Sequence, residues 1–509
     1  MYERHDVGAD TLHQVVRENL LTFLAAIEAG FAGGELPSFV EDELRGYLRC
    51  SVLGRGFAHL ACEGCGLVRL VAFTCAGRGF CPTCMGRRMN QTTVNLLEHV
   101  LPTQPFRQWV LTLPYELRAP LGYQPRLMSA LARGFADSLL RWYAGRLAPA
   151  STRAQGGLFT VIQRCSGDLR LSPHLHVVAL DGCYLAGPDD KPVFRPLPHL
   201  KSEEVADVLQ IAKTRILKAL ACLGAVDLMP DALAVDDAWA ARAPVMAHLA
   251  AAAVAGLPPA GPAERKRDPV RIVDGGRPEI VGDLVVQDHG FNLHARTRAG
   301  ALDEPARARL VRYVLRPPLA RERLQRLPDH RVRLELKRPW SDGTYALEMD
   351  ALALVSRLAA SVPPPRQHVV IYAGVLASSS RWRPLVIPPP QEEQRAATTE
   401  DNGASPRPSL PAPGPPVPKR VSAGIRCRYI KWAELMRLTF GLTVDQCPAC
   451  GGRMKLRALV HDPHSIERFL RHQGLWSPPP EPAAARAPPY QRSVTRLHPS
   501  RQAELSFDT

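Results

Sequence analysis

The stretch Leu171-Ser-Pro-His174-Leu-His176-Val-Val-Ala-Leu180-Asp-Gly182 decides how this chain is read. Successive side chains of a β-strand point to opposite faces, so His174 and His176 share one face. The apolar run Val177–Leu180 supports a strand beginning near Leu175. Two imidazoles side by side on a strand make half of a metal site. A lone His-x-His also fits a satisfied structural pair, so its meaning depends on the rest of the chain.

Immediately upstream, Leu158–Arg164 reads as a second strand, joined to the first by a polar loop with Gly167 and Asp168. The two are expected to pair as an antiparallel hairpin. Trp109–Leu113 reads as a strand that stops at Pro114, and residues 123–146 as a long amphipathic helix. Downstream, residues 203–222 are helical, 225–275 form an Ala- and Pro-rich insertion, and Ile280–Gln287 and Phe291–Thr297 are strand-like. Asp303 is placed to cap a helix that carries Tyr313 and stops before Pro317-Pro318. Arg331–Lys337 and Tyr345–Met349 flank a Ser341-Asp342-Gly343 turn, and Gln367–Val375 is a last strand.

The flanks differ in texture. Residues 10–29 have helical spacing, and Ser38 with Glu41 forms a capping-box pattern for a second helix. A cysteine-dense stretch runs from Cys50 to Cys84, and a helix is expected from Asn90. Residues 386–420 are Pro-rich with Ser, Thr and Gly, the composition of a linker. The expected domains are 1–100 (helical and zinc-binding), 105–385 (the core), 386–425 (linker), 426–475 (a small Cys-containing module) and 476–509 (a disordered tail).

At 509 residues the chain is long enough for several domains. Its net charge of +15 comes mainly from arginine, which pairs with phosphate through a planar fork. Such a balance permits nucleic acid as a partner and proves nothing by itself. The first ten residues lack a signal-peptide pattern, and no apolar run reaches membrane-spanning length, so a cytoplasmic, nucleoid-associated protein with no membrane partner is expected. Twelve cysteines, several as Cys-x-x-Cys, then read as metal ligands before disulfides.

Cys62-Glu-Gly-Cys65 and Cys81-Pro-Thr-Cys84 are two knuckles with fifteen residues between the inner cysteines. That spacing fits one tetrahedral four-thiolate Zn²⁺ site, closed and structural. Cys75 is a spare thiolate in the same loop, with Cys50 and His59 nearby, so a swapped ligand or second ion is an alternative. Arg87 and Arg88 follow the second knuckle as candidate DNA contacts. Cys447-Pro-Ala-Cys450 is half a site, and Cys427, His461 and His464 are the candidates to complete a further Zn²⁺.

Tyr313 has a chemical reading once the histidines are considered. A free phenol is a poor nucleophile, with a pKa of about 10. Arg312 and Arg316 neighbour it in sequence and favour the phenolate, and a divalent cation on the imidazoles would polarise a phosphodiester. The product would be a phosphotyrosine and a free 3′-hydroxyl, so strands could be rejoined without ATP.

These motifs together resemble the rolling-circle HUH tyrosine transposases of the IS-ninety-one type, insertion-sequence enzymes with an N-terminal zinc-binding domain. The resemblance covers nearly the whole chain. It rests on Phe73-Thr-Cys-Ala-Gly-Arg-Gly-Phe-Cys-Pro-Thr-Cys84, Val110-Leu-Thr-Leu-Pro114, Gln163-Arg164 with Ser172-Pro-His-Leu-His176, and Arg312-Tyr-Val-Leu-Arg-Pro-Pro318. Leu336-Lys-Arg-Pro-Trp-Ser-Asp-Gly-Thr344, Val362-Pro-Pro-Pro-Arg366 and Cys447-Pro-Ala-Cys-Gly-Gly452 add to it.

The resemblance implies an α+β fold: an HUH endonuclease core, an antiparallel sheet flanked by helices, with the histidine strand central. It implies His174 and His176 as ligands of Mg²⁺ or Mn²⁺, Gln163 as third ligand with His294 as competitor, and Tyr313 as nucleophile. Lys337 would neutralise the phosphate during strand transfer, and Arg312, Arg316, Arg87 and Arg88 would contact DNA. The partners implied are single-stranded transposon ends and target DNA. Double-tyrosine members carry a second tyrosine four residues from the first; here those positions are Arg309 and Pro317, so a second subunit is a candidate to supply it. Tyr372-Ala-Gly-Val375 stands where the resemblance implies a histidine before the glycine. The rival readings are a plasmid replication initiator or relaxase with the same chemistry, and an inactive DNA-binding transposon remnant.

Overall fold

The protein is described here by a computed structural model. It describes residues 7–31, 35–229, 232–235, 238–256, 277–387, 433, 436–437, 443–487 and 494–499. Helices and sheets are mixed. The linker beyond residue 387, residues 257–275 of the insertion, and Cys427 lie outside the described residues.

The central sheet is antiparallel. From one edge its strands are Glu279–Gly282, Val285–Asp288, Phe291–His294, Phe106–Thr112, Leu171–Leu180, Gly157–Cys165 and Val370–Gly374. Arg298–Ala299 pairs beside Phe106 and Arg107. The histidine strand, Leu171–Leu180, therefore has neighbours on both sides. It pairs with Phe106–Thr112 (Val110 opposite His176) and with Gly157–Cys165 (Val161 opposite His176, Gln163 opposite His174). The expected hairpin is present.

Alternation along these strands builds two faces. Trp109, Leu111, Leu175 and Val177 point one way and pack on helices Pro125–Leu147 and Ser202–Cys222 through Leu131, Phe135, Leu209 and Ile216. Phe106, Val161, Val178 and Leu180 point the other way. They pack on Leu96 and Val100, at the end of helix Pro82–His99, and on Leu310, Val311 and Val314 of helix Glu304–Leu315. The histidines share this second face with the tyrosine helix. Asp303 caps that helix as expected, accepting from the Ala306 amide at 2.9 Å.

A buried ion pair pins the strand ends. Asp181 follows the histidine strand and accepts from Arg107 Nε at 2.9 Å and Nη2 at 3.2 Å, and from Arg298 Nε at 2.5 Å. Removing Asp181 strands the charge of buried Arg107 in the interior, while Arg298 is half exposed. Asp181→Ala should therefore cost about 3–5 kcal/mol of stability in a urea titration.

The chain's distant ends return to the N-terminal region. Strand Met454–Val460 adds antiparallel to Phe57–Cys62, which also pairs with Val68–Ala72. Ile466 and Leu470 of helix Pro463–His472 pack on Leu53 and Phe57. A separate four-stranded sheet joins Leu324–Arg326, Arg331–Glu335, Ala346–Asp350 and Thr495–Leu497.

Several expectations are corrected. The tail was read as disordered, yet Thr495–Leu497 pairs with Ala346–Glu348, and Arg486 donates to Asp350 at 2.9 Å. The helix expected from Asn90 begins at Pro82, because proline suits a first turn and the knuckle itself forms that turn. Ile280–Gln287 is a hairpin that reverses at Gly282–Leu284, where Leu284 takes a positive φ of 52°. Helix Ser38–Arg49 forms without the Ser38–Glu41 box, since Pro37 holds the N-cap position and Ser38 is already in the first turn; Glu41 instead pairs with Arg45 at 2.6 Å. No helix among the described residues is long and apolar enough to cross a membrane.

Candidate active site and zinc sites

Six cysteines of the N-terminal region and two near the C-terminus converge as two groups of four. Cys50, Cys75, Cys81 and Cys84 form one; Cys62, Cys65, Cys447 and Cys450 form the other. The expected single site of Cys62, Cys65, Cys81 and Cys84 is thus divided between two clusters. The cause is local. The first knuckle closes the hairpin between Phe57–Cys62 and Val68–Ala72, whereas the second opens helix Pro82–His99, beside the end of helix Ser38–Arg49 where Cys50 lies.

The spacings suit zinc. Four sulfurs at ~2.3 Å from a tetrahedral ion stand ~3.8 Å apart. The Sγ–Sγ separations are 3.6 Å for Cys50–Cys81, 3.8 Å for Cys50–Cys84 and 3.4 Å for Cys75–Cys84. In the other group they are 3.5 Å for Cys62–Cys450 and 3.6 Å for Cys65–Cys447. All are far beyond a disulfide bond. Backbone amides support the thiolates: Gly64 donates to Cys62 at 3.3 Å, Gly77 to Cys75 at 3.4 Å and Gly452 to Cys450 at 3.4 Å. The Cys62 thiol is pulled down to about 6, chiefly by the Cys65 backbone amide.

Of the candidates to complete the Cys447–Cys450 half site, His461 instead stacks on Phe73 with ring centroids 4.6 Å apart. The sequence offered Cys75 as a spare thiolate, with Cys50 nearby, for a swapped ligand or second ion. It had no signal for the pairing of Cys62 and Cys65 with Cys447 and Cys450, which lie 382 residues beyond Cys65.

The histidine face is assembled from three elements. His174 and His176 are side by side, their ring centroids 4.9 Å apart. His174 Nδ1–H donates to the Ser172 carbonyl at 2.7 Å, which leaves Nε2 with a free lone pair. His176 Nδ1 lies 2.7 Å from the side-chain amide of buried Gln108. With the amide oxygen turned to it, this ring also keeps its proton on Nδ1 and frees Nε2. Burial lowers the pKa of both imidazoles, and that of His176 lies well below the ordinary range, with His174 and Arg316 adding to the effect. Both rings are therefore neutral near pH 7, the form that binds metal.

Tyr313 sits edge-on to His176, with centroids 5.9 Å apart. Its ring is 45% exposed, and the Arg316 guanidinium lies 4.2 Å from its centre. Gln163 joins the two parts: it is the cross-strand partner of His174, and its Nε2 donates to the Val314 carbonyl of the tyrosine helix at 2.7 Å. That bond leaves Oε1 as the amide's open acceptor. His294 stands two strands from His176, with Val110 between them. Among the described residues, no group of three or more His, Cys, Asp or Glu donors converges outside the two cysteine clusters.

Against this geometry, two family models match. One, described as "Putative transposase", covers residues 157–383, and the other, a transposase zinc-binding domain of the IS91 type, covers residues 21–113. The chain belongs to the IS91-type transposases. The first match spans the glutamine and histidine strands, the tyrosine helix and Lys337. The second spans six of the eight clustered cysteines; Cys447 and Cys450 lie outside both. No curated protein and no solved structure matches the chain.

The remaining candidate residues of this transposase fall in different places. Arg87, Arg88 and Arg316 line a common cavity, and Arg312 is exposed elsewhere on the tyrosine helix. Gln108, buried at 4% exposure, escaped the sequence reading because it carries no motif of its own; it sits beside Arg107 at the start of the strand, ahead of the apolar stretch Trp109–Leu111. The Lys337 ammonium is pushed down to about 8, first by desolvation, then by Arg316 and Arg323. Its charge is full below that value and is lost as pH rises through it. Affinity for a single-stranded oligonucleotide should fall by up to about tenfold between pH 7 and pH 9.5, the size of one charge-assisted contact. Lys337→Arg, which stays charged, should flatten that profile.

Proposed function

We propose that this transposase nicks and rejoins single-stranded transposon ends through a 5′-phosphotyrosine intermediate, by a rolling-circle route. The observation that carries the reading is the convergence of two neutral imidazoles, the Gln163 amide and the Tyr313 ring on one face of a rigid antiparallel sheet. An antiparallel sheet with the histidine strand inside it and the tyrosine helix on one face supports reading residues 105–385 as an HUH endonuclease core.

Two imidazole Nε2 atoms and an amide oxygen, with room for water, fit a labile octahedral ion such as Mg²⁺ or Mn²⁺. The ion, when bound, polarises the scissile phosphate. The chain's own residues do the rest. Gln163 fixes the tyrosine helix against the ligand strand through Val314. The Tyr313 oxygen attacks phosphorus, the bond to the 3′-oxygen breaks, and that oxygen takes up a proton. Arg316 and Lys337 offset the charge that develops on the phosphate. A later 3′-hydroxyl attacks the phosphotyrosine, so each phosphodiester bond is exchanged with no external energy source. The two cysteine tetrads carry structural Zn²⁺: one braces the N-terminal region internally, and the other ties it to the C-terminal module. A cytoplasmic, nucleoid-associated setting follows from the DNA substrate, and a second subunit is the proposed source of a second tyrosine.

The test uses single-stranded oligonucleotides from the DNA flanking the gene, labelled at the 5′ or 3′ end, with Mn²⁺ or with chelator. Only the fragment 3′ of the nick should become covalently attached to protein, and only with metal. Attachment of the other fragment, or none from a zinc-loaded protein, would overturn the mechanism. The latter result would favour an inactive DNA-binding remnant.

A further inference from the structure

Between helix Pro82–His99 and the catalytic sheet lies a cavity of about 440 Å³. That volume falls in the range of small-ligand sites. One wall is the zinc-bearing helix, with Met85, Arg87 and Met89 facing in. Another is residues 161–165 of the glutamine strand, and a third is residues 314–318, directly after the tyrosine. We propose that this cavity holds one unpaired nucleotide of the DNA strand, adjoining the scissile phosphate. The proposal rests on the single-stranded reading above and adds where a base is held.

Three observations support it. First, five arginines line the cavity and no carboxylate does. Arg164 is spent on the Ser361 and Ala360 carbonyls at 2.9 and 3.2 Å, and Arg88 on the Ala76 carbonyl at 2.8 Å. Arg87 has no ion-pair partner among the described residues, which suits it to a phosphate. Second, Met85, Met89, Ile162 and Val369 give an apolar floor, while Gln91, Thr92 and Gln163 supply uncharged hydrogen-bonding groups. A flat apolar body with polar edges and an attached anion is a nucleotide. A paired base cannot bring its partner into an enclosure of this size.

The third is position. Val161 and Gln163 are the cross-strand partners of His176 and His174, and Val314 and Arg316 bracket the tyrosine helix's end. The cavity begins where the reacting groups end. Cys84, with Thr74 and Ala76, also lines it, so the buried cysteine tetrad fixes one wall. The zinc-binding region would then read a nucleotide beside the bond to be broken.

The test uses zinc-loaded full-length Tyr313→Phe protein and a single-stranded thymidylate 12-mer carrying one 5-iodouracil. Illumination should crosslink the strand to a peptide containing residues 85–92. In fluorescence anisotropy, Met89→Trp in the same background should weaken 12-mer binding at least tenfold, leaving zinc content and affinity for a 12-base-pair duplex unchanged. Gln91→Trp carries the same test if Met89→Trp loses zinc or melts early. Crosslinks confined to other segments, undiminished binding by both variants, or equal competition by duplex would each overturn the pocket. Failure of the chemistry looks different: Tyr313-intact protein would crosslink through residues 85–92 and yet form no covalent adduct. An adduct without that crosslink removes the pocket alone.

Discussion

Tyr313→Phe should abolish the covalent DNA adduct and slow nicking by on the order of 10⁴-fold or more, the scale seen when a nucleophile is removed. The substitution deletes one oxygen and keeps the ring. The ring's edge contact with His176 and its stacking under Arg316 stay available, and at 45% exposure the hydroxyl supports no buried network. Melting temperature and affinity for a single-stranded end should therefore match wild type. This pairing of lost chemistry with intact binding separates a nucleophile from a merely structural tyrosine. His176→Ala should behave differently: it removes a buried ring, leaves Gln108 facing a void, and should shift the Mn²⁺ dependence of nicking as well as its rate. If the phenylalanine variant still forms the adduct, another residue is the nucleophile.

The second large effect concerns the cysteines. Wild type should bind two zinc ions per chain by elemental analysis, and Cys447→Ser one. The lost ion is the one that holds residues 447–450 against residues 62–65. Strand Met454–Val460 should then become more accessible to protease, because Leu456 and Leu459 are already exposed and only its pairing with Phe57–Cys62 and the packing of Met454, Ile466 and Leu470 remain to hold it. The catalytic sheet has its own core and should remain folded. Cys84→Ser should be more damaging, since Cys81 and Cys84 are buried in a cluster with Tyr47, Leu48 and Phe80 and shape the cavity wall. A count of two ions retained in Cys447→Ser would break the assignment of the second tetrad.

Much of the catalytic region was legible in the sequence because its signals are local. Alternation around His174 and His176 fixed their common face, and the loop at Gly167 and Asp168 marked the hairpin; the register that sets Gln163 opposite His174 came from the structure. Asp303 and Pro305 marked the start of the tyrosine helix. What escaped depended on distance or on absent periodicity. The cysteine pairing spans hundreds of residues, and spacing alone favoured the nearer, incorrect grouping. Helix Ala351–Ser361 is buried on every side, so no polar face announces it. Helix Tyr115–Tyr123 contains Pro120 and follows Pro114, which reads as a break. Gln108 reaches His176 across strands, a contact that no motif records.

The second tetrad also has a consequence for the order in which the molecule is made. Cys65 leaves the ribosome 382 residues ahead of Cys447. At 5–20 residues per second that is a wait of roughly 20–80 s. During it, Cys62 and Cys65 are a dithiol with no mates, and strand Phe57–Cys62 has one open edge. The first tetrad needs nothing beyond Cys84 and can close early. Closure of the second is thus a molecular report that translation has passed Cys450, and a chain cut short in the linker would keep residues 157–383, which match the transposase family, but never complete that site.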